Sequence, residues 1–183
     1  VTDVDFSVGH LRHAQQNFTC RGLSGDFYVG DAEALPFPDN SFDLVYTNGV
    51  IHHTPQTQTV IDEIFRVLKP GGKVICMVYA QNSMNFWLNI FFWYGIRRGE
   101  ILNHSVNEIM SREVEVSSTG ATPLVKVYTG ARLRRMFSRF ETIKVSKHQL
   151  VQSEVPKIIR IIPLRLLERF LGWNLVVKAT KPR

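Results

Sequence analysis

The chain has 183 residues, the size of one domain, and 44% of them are hydrophobic, enough for a packed core. Its two cysteines, Cys20 and Cys76, show no CxxC or other metal-ligand spacing, which argues against a disulfide framework or a zinc site and fits a reducing, cytoplasmic setting. The net charge of +6 is divided: residues 1–80 hold 5 Lys/Arg against 9 Asp/Glu, net −4, and residues 81–183 hold 17 against 7, net +10.

Short β-branched runs alternate with helical patterns through the first half, the rhythm of a parallel sheet covered by helices. Val1 to Asp5 reads as a strand, and Val8 to Phe18 as a helix with Leu11 and Ala14 inward. The opening Val-Thr-Asp-Val-Asp has neither the initiator methionine nor the basic and apolar runs of a secretory signal. Phe27 to Val29 and Phe42 to Thr47 read as strands, separated by the turn formers Pro36, Pro38, Asp39 and Asn40. Gln56 to Leu68 is a helix with Val60, Ile61, Ile64, Val67 and Leu68 on one face, stopped by Lys69-Pro70-Gly71-Gly72. Lys73 to Ala80 is nearly all apolar, as a strand buried on both faces would be.

The pattern loosens beyond Ala80. Ser83 to Arg97 reads as an aromatic-rich helix, and its longest apolar run, Phe86 to Ile96, is interrupted by Asn89 and is well short of the roughly 20 residues of a membrane-spanning helix. Gly99 to Val127 shows no clear period and reads as an inserted cap or substrate loop. A helix over Thr129 to Phe137, a strand over Glu141 to Gln149, a helix over Pro163 to Leu171 and a strand over Trp173 to Thr180 close the chain.

Three strings carry a family resemblance: Val1-Thr2-Asp3-Val4-Asp5-Phe6-Ser7; Gly30-Asp31-Ala32-Glu33-Ala34-Leu35-Pro36-Phe37 running into Pro38-Asp39-Asn40-Ser41-Phe42-Asp43; and Phe42 through Thr47-Asn48-Gly49-Val50-Ile51-His52-His53 on to Arg66-Val67-Leu68-Lys69-Pro70-Gly71-Gly72. Over residues 1–80 the chain resembles the class I S-adenosylmethionine-dependent methyltransferases, in the branch called type 11. The resemblance implies an α/β, Rossmann-like, doubly wound and mostly parallel sheet with an antiparallel edge strand. It also implies one domain over 1–183, with a cofactor-binding core at 1–80, a variable substrate cap at 81–128, and C-terminal helices and edge strands at 129–183. Relatives begin with a strand and a glycine-rich GxGxG loop. That string is absent here, and truncation ahead of the second strand is the expected cause.

Carried onto these positions, the resemblance makes Asp5, with Phe6 beside it, the acceptor of both ribose hydroxyls of S-adenosylmethionine, a task suited to an acceptor-only carboxylate. Asp31 would accept from the adenine amino group and the Ala32 amide would address the ring. Thr47, Asn48 and Gly49 would lie near the sulfonium, at the carboxyl end of their strand. His52 or His53 would be a general base, with a pKa near neutrality. The plain alternatives are a helix-capping Asp5, a solvated turn at Asp31 and a histidine packed beneath the cofactor. The Lys-Pro-Gly-Gly turn is structural.

No metal is expected. The acceptor is expected to be a small apolar or aromatic molecule rather than a nucleic acid, because Phe86, Trp87, Phe91, Phe92, Trp93 and Tyr94 exceed the roughly 100° apolar stripe of a surface helix. The basic, apolar stretch Ile158 to Arg169, interrupted by Pro163, has the character of a segment that lies on anionic lipid, which makes peripheral membrane contact an expectation as well. Two rivals stand beside this reading. A nicotinamide-dependent reductase shares the strand-end acid, but no tyrosine here is followed four residues later by lysine. A degenerate, non-catalytic methyltransferase-like module is the other.

Overall fold

The computed structural model describes residues 1–114, 123–151 and 155–183. Strand β1 (Thr2–Asp5) turns into helix α1 (Val8–Cys20) at Ser7, whose hydroxyl accepts the His10 amide and caps the first turn. As its spacing predicts, α1 buries Leu11 and half-buries Ala14. The chain then returns as β2 (Asp26–Val29), parallel to β1 with Asp5 opposite Val29.

Strand β3 (Phe42–Asn48) crosses through α2 (Thr57–Val67) to the parallel strand β4 (Leu68–Ala80). Helix α2 buries Val60, Ile61, Ile64 and Val67, the stripe its period dictates, against the sheet. Residues 69–72 bulge out of β4, since Phe42 faces Leu68 whereas Leu44 faces Lys73. Two glycines make that bulge: Gly71 has φ 78°, and a Cβ on Gly72 would sit 2.8 Å from the Lys69 carbonyl. The four residues are therefore structural, as the sequence indicates.

Beyond α2 the sheet continues through antiparallel strands, β7 (Asn174–Thr180) against β4 and β6 (Glu141–His148) against β7, while two-residue β5 (Val127–Tyr128) extends the end of β4. Helices α4 (Gly130–Met136) and α5 (Leu164–Leu171) fall where their patterns place them. The fully buried Tyr128, Leu133 and Phe137 close the core over α2, where the Tyr128 hydroxyl bonds Thr57 Oγ1 at 2.8 Å.

Two departures from expectation concern the region after Ala80. Phe86–Arg97 winds as a π-helix, a rare form whose wider turn spreads the aromatic residues over more of the surface. The stretch read as aperiodic contains a further helix, α3 (Val106–Glu113). Only Ile109 and Met110 of that helix are buried, so no apolar period shows, but a capping box of Ser105 and Glu108 marks its start. The rest of that stretch at 115–122, and 152–154, lie outside the described residues.

Strands form two groups, β2-β1 and β3-β4-β7-β6, and among the described residues no strand joins β1 to β3. Residues 2–5 of β1 and 44–48 of β3 instead face one cavity of about 330 Å³.

Candidate functional site

Parallel strands end on the same side of their sheet, so the ends of β1 and β2 bring two of the predicted acids together: the Gly30 amide donates to the Asp5 carbonyl at 3.2 Å, one residue before Asp31. Asp5, Ala32 and Asn48 line the 330 Å³ cavity, with apolar walls from Leu35, Phe37, Val50 and Ile51. Asp5 is partly committed, since its Oδ1 accepts the Ser7 amide at 2.6 Å and its Oδ2 lies 3.5 Å from His10 Nδ1. The capping alternative is therefore half realised: Asp5 holds the turn before α1 and still presents a second oxygen. Thr47 Oγ1 is buried at the cavity wall with no hydrogen-bond partner among the described residues.

The remaining cofactor candidates sit less centrally. Asp31 is exposed and does not line the cavity, its Oδ1 accepting the Glu33 amide at 2.8 Å in a tight turn. Phe6 is exposed and outside the cavity. Gly49 is also outside it, but φ 76° lets the chain turn sharply after Asn48 while its amide bonds the Met77 carbonyl at 3.2 Å.

Sequence reasoning missed the device that holds this loop. Arg66 on α2 donates to the carbonyls of Leu35 (3.0 Å) and Phe37 (2.7 Å), to Asp39 (2.9 Å) and to Glu63 (2.7 Å), and Glu63 accepts the Leu35 amide at 2.8 Å. The Arg66 hydrogen bond holds the Glu63 carboxyl below the usual carboxylate range, with burial opposing and the Leu35 amide assisting. Arg66 and Glu63 are spaced three apart on α2, a pattern common on solvated helix faces, and nothing in the sequence singled it out. Arg66→Ala is expected to lower stability by about 1–2 kcal/mol, less than a fully buried charged cluster would cost because Arg66 is partly solvated. Urea unfolding checks it, with a second signature in pH. A lowered Glu63 stabilises the fold above the ordinary carboxyl pKa of 4.5 and loses that contribution as pH falls below it, so the variant's acid loss should be shallower than the native protein's.

The histidines follow Gly49 in a single 3₁₀ turn, Ile51–His53. His52 is fully buried, with its ring 4.1 Å from that of His53 and 4.3 Å from that of Tyr79. Burial, assisted by His53, pushes its pKa down to about 3. The near-neutral value expected of a general base does not hold for His52, which is a neutral packing residue at physiological pH. His53 is half-buried, and its Nδ1 lies 2.7 Å from the Leu124 carbonyl, which fixes the Nδ1–H tautomer and makes Nε2 the acceptor nitrogen. Lys126 fastens the same strap, its amide bonding the His52 carbonyl and its Nζ the carbonyls of Thr54 and Pro55 at 2.9 and 2.6 Å.

From His52 the rings continue to Tyr79 and then Trp173, stacked at 4.6 Å. This series connects the end of β3 to a second cavity, of about 540 Å³, walled by Tyr79, Trp93, Tyr94 and Trp173 and carrying the polar groups of Asn85, Asn89, Glu113 and Gln149. Among the described residues no three His, Cys, Asp or Glu side chains are grouped to hold a metal ion.

Residues 1–76 match the methyltransferase domain family. Among curated proteins, the chain is similar to a demethylmenaquinone methyltransferase of Geobacillus kaustophilus, 36% identical over 95 residues that make up 51% of this chain and 41% of that protein. It is also similar to a ubiquinone/menaquinone biosynthesis C-methyltransferase of Desulfotalea psychrophila, 36% identical over 99 residues, 52% of this chain and 39% of that protein. The matched region thus spans about two fifths of the length of these relatives. In structure the whole chain superposes on a SAM-dependent methyltransferase from Methanosarcina mazei with a TM-score of 0.65 and 21% identity, covering 82% of that protein. The fold is the mixed α/β, Rossmann-like fold of class I methyltransferases.

Proposed function

From residues 1–76 that match the methyltransferase domain family, within a class I methyltransferase fold, we propose that the chain takes part in S-adenosylmethionine-dependent methyl transfer to a small aromatic acceptor. The observation that carries the reading is the convergence of Asp5, Ala32 and Asn48, from three separate strand ends, on one cavity. Its chemistry fits the nucleoside half of the cofactor: a carboxylate acceptor, an apolar slot wide enough for a ring, and the buried Thr47 hydroxyl.

When bound, S-adenosylmethionine supplies an activated methyl group on a sulfonium, transferred by direct displacement. The chain's own part is to hold and orient. Asp5 would accept the ribose hydroxyls, the Ala32 amide and, from the cavity's outer edge, the Asp31 carboxylate would address the base, and Arg66 fixes the loop that follows them. Ile51 and Val50 keep water from the wall beside Asn48. Alignment of this kind supplies roughly 7–11 kcal/mol of barrier reduction, which is why acid–base groups are sparse here. His52 and His53 line neither cavity, so a base for an acceptor that has a proton to lose is not assigned to them.

The second cavity supports the aromatic acceptor. Aromatic walls match a planar ring, and its amide and carboxyl groups match polar substituents on that ring. The relatives that act on quinone precursors in name point the same way. The π-helix and α3 line this cavity together with Tyr79, Gln149 and Trp173, and the 81–128 segment is proposed as the substrate cap.

Calorimetric titration with S-adenosylmethionine tests the cofactor assignment. Asp31→Ala is expected to weaken binding about 10- to 150-fold, the loss of one charge-assisted contact of roughly 1.5–3 kcal/mol. Unchanged affinity would remove Asp31 from the site. Absence of binding both in the chain and in the chain extended by a glycine-rich first strand would overturn the reading as a whole.

A further inference from the structure

Helix α5 carries two apolar stripes although it is eight residues long. Leu167 and Leu171, four apart, face inward and pack with Met84, Leu150 and Val155 in a small cluster of their own. Leu166 and Phe170, also four apart and turned roughly 100° from the first pair, stand in solvent at 50% and 71% exposure. The segment leading into the helix repeats the pattern more strongly, with Ile158 and Ile161 at 83% and 89% exposure. Apolar side chains gain from leaving water, so four of them held in it call for a covering phase.

Charge identifies that phase. Lys157, Arg160, Arg165 and Arg169 are interleaved with these apolar residues, against a single acid, Glu168, in a C-terminal half of net charge +10. We propose that residues 157–170 form a docking surface for an anionic lipid bilayer, with Ile158, Ile161, Leu166 and Phe170 entering the headgroup and acyl boundary and the four cations binding lipid phosphates. A second copy of the chain fits poorly, because a two-fold contact would set these cations against their own equivalents. A nucleic acid would satisfy the cations and leave the isoleucines in water. An anionic membrane surface meets both requirements.

The surface continues beyond α5. Lys147 Nζ donates to the carbonyls of Asn82 (2.6 Å) and Phe170 (2.5 Å), and Met84 packs on Leu167, so the π-helix starts beside α5. Its half-exposed Trp87 and Phe92 are of the type that settles at membrane interfaces. Among the described residues no helix is long and apolar enough to cross a membrane, so the contact lies along the surface.

Cosedimentation with sucrose-loaded phosphatidylcholine vesicles, with and without phosphatidylglycerol, tests the proposal without requiring methyl transfer. Partition onto the phosphatidylglycerol vesicles is expected to exceed that onto neutral ones at least tenfold and to fall with added salt. Neutralising Arg165 and Arg169 to Gln is expected to weaken it about 25-fold, fivefold for each cation. The pair Ile161→Ser and Phe170→Ser is expected to weaken it at least tenfold with an unchanged thermal midpoint, since both side chains are exposed in the fold. The proposal is overturned by no partition onto phosphatidylglycerol vesicles, by partition that neither variant pair changes, or by sedimentation equilibrium in which the Ile161/Phe170 pair abolishes a dimer.

Discussion

Lowering the pH from 6.5 to 4 is expected to destabilise the native chain by about 3 kcal/mol through His52, and His52→Phe should remove that loss. The folded-state value of about 3 lies below the ordinary 6.5, so across this interval the unfolded chain binds a proton that the native one refuses. Stability from such a group is fully present above 6.5 and falls as pH drops, by about 1.4 kcal/mol per unit. The cause is first burial and then the neighbouring His53 ring. Glu63 also favours the folded state on the alkaline side, but its contribution fades only below 4.5, so the window from 6.5 to 4.5 belongs to the histidine term. Phenylalanine keeps a ring for the tilted contact with Tyr79 and does not titrate. Urea unfolding at several pH values reads the slope, and equal slopes for the two proteins between 6.5 and 4.5 would show that His52 is not held neutral. Protonating His52 strains the turn on which Lys126 and Leu124 fasten the strap over residues 51–55. The acid loss should therefore begin at the end of β3.

The first 80 residues were legible because each element there has one dominant signal. The stripe of α2, the nearly unbroken apolar run of Lys73 to Ala80 and the proline and glycine stops leave little choice of structure, although β4 buries alternate residues fully rather than both faces alike; the family resemblance over 1–80 coincides with the match over 1–76. Past Ala80 the signals compete. The apolar residues of FWLNIFFWYGIR run almost without interruption and so carry no period that separates a π-helix from an α-helix; the string specified a helix but not its pitch. Helix α3 hid because burial of two adjacent residues has no period, and its capping box was the only available sign.

For the site, residue types at strand ends were readable and their partners were not. Asp5 and Asn48 each stand at the carboxyl end of a parallel strand, the position where ligands gather in such folds, and both line the cavity although their strands belong to separate groups. That Asp31 spends an oxygen on Glu33, and that Arg66 clamps the loop from 29 and 31 residues away in sequence, are tertiary facts. The histidine pair shows the limit most clearly. Adjacent and chemically identical, His52 and His53 differ in which way the 3₁₀ turn faces them, and that makes one a fully buried ring and leaves the other half-buried with its Nδ1 on the Leu124 carbonyl.

Asp5→Ala is expected to weaken S-adenosylmethionine binding on the order of 150-fold, through loss of about 3 kcal/mol from two ribose hydroxyl contacts that share one carboxylate. Two roles must be separated, since Oδ1 already accepts the Ser7 amide at 2.6 Å and thereby sets the turn into α1. Alanine removes both, and its stability loss should be about 1 kcal/mol, as for a lost helix cap. Asp5→Asn separates them. Its amide oxygen can still accept from Ser7, while the nitrogen that replaces Oδ2 donates and cannot accept a hydroxyl proton. Asparagine should therefore melt within about 0.5 kcal/mol of the native protein, as substitutions outside the core do, yet bind about 10- to 150-fold more weakly. Calorimetry beside urea unfolding reads both quantities on the same preparations. Native affinity in Asp5→Asn, together with destabilisation in Asp5→Ala, would reduce Asp5 to a turn residue and leave the cavity without its ribose acceptor.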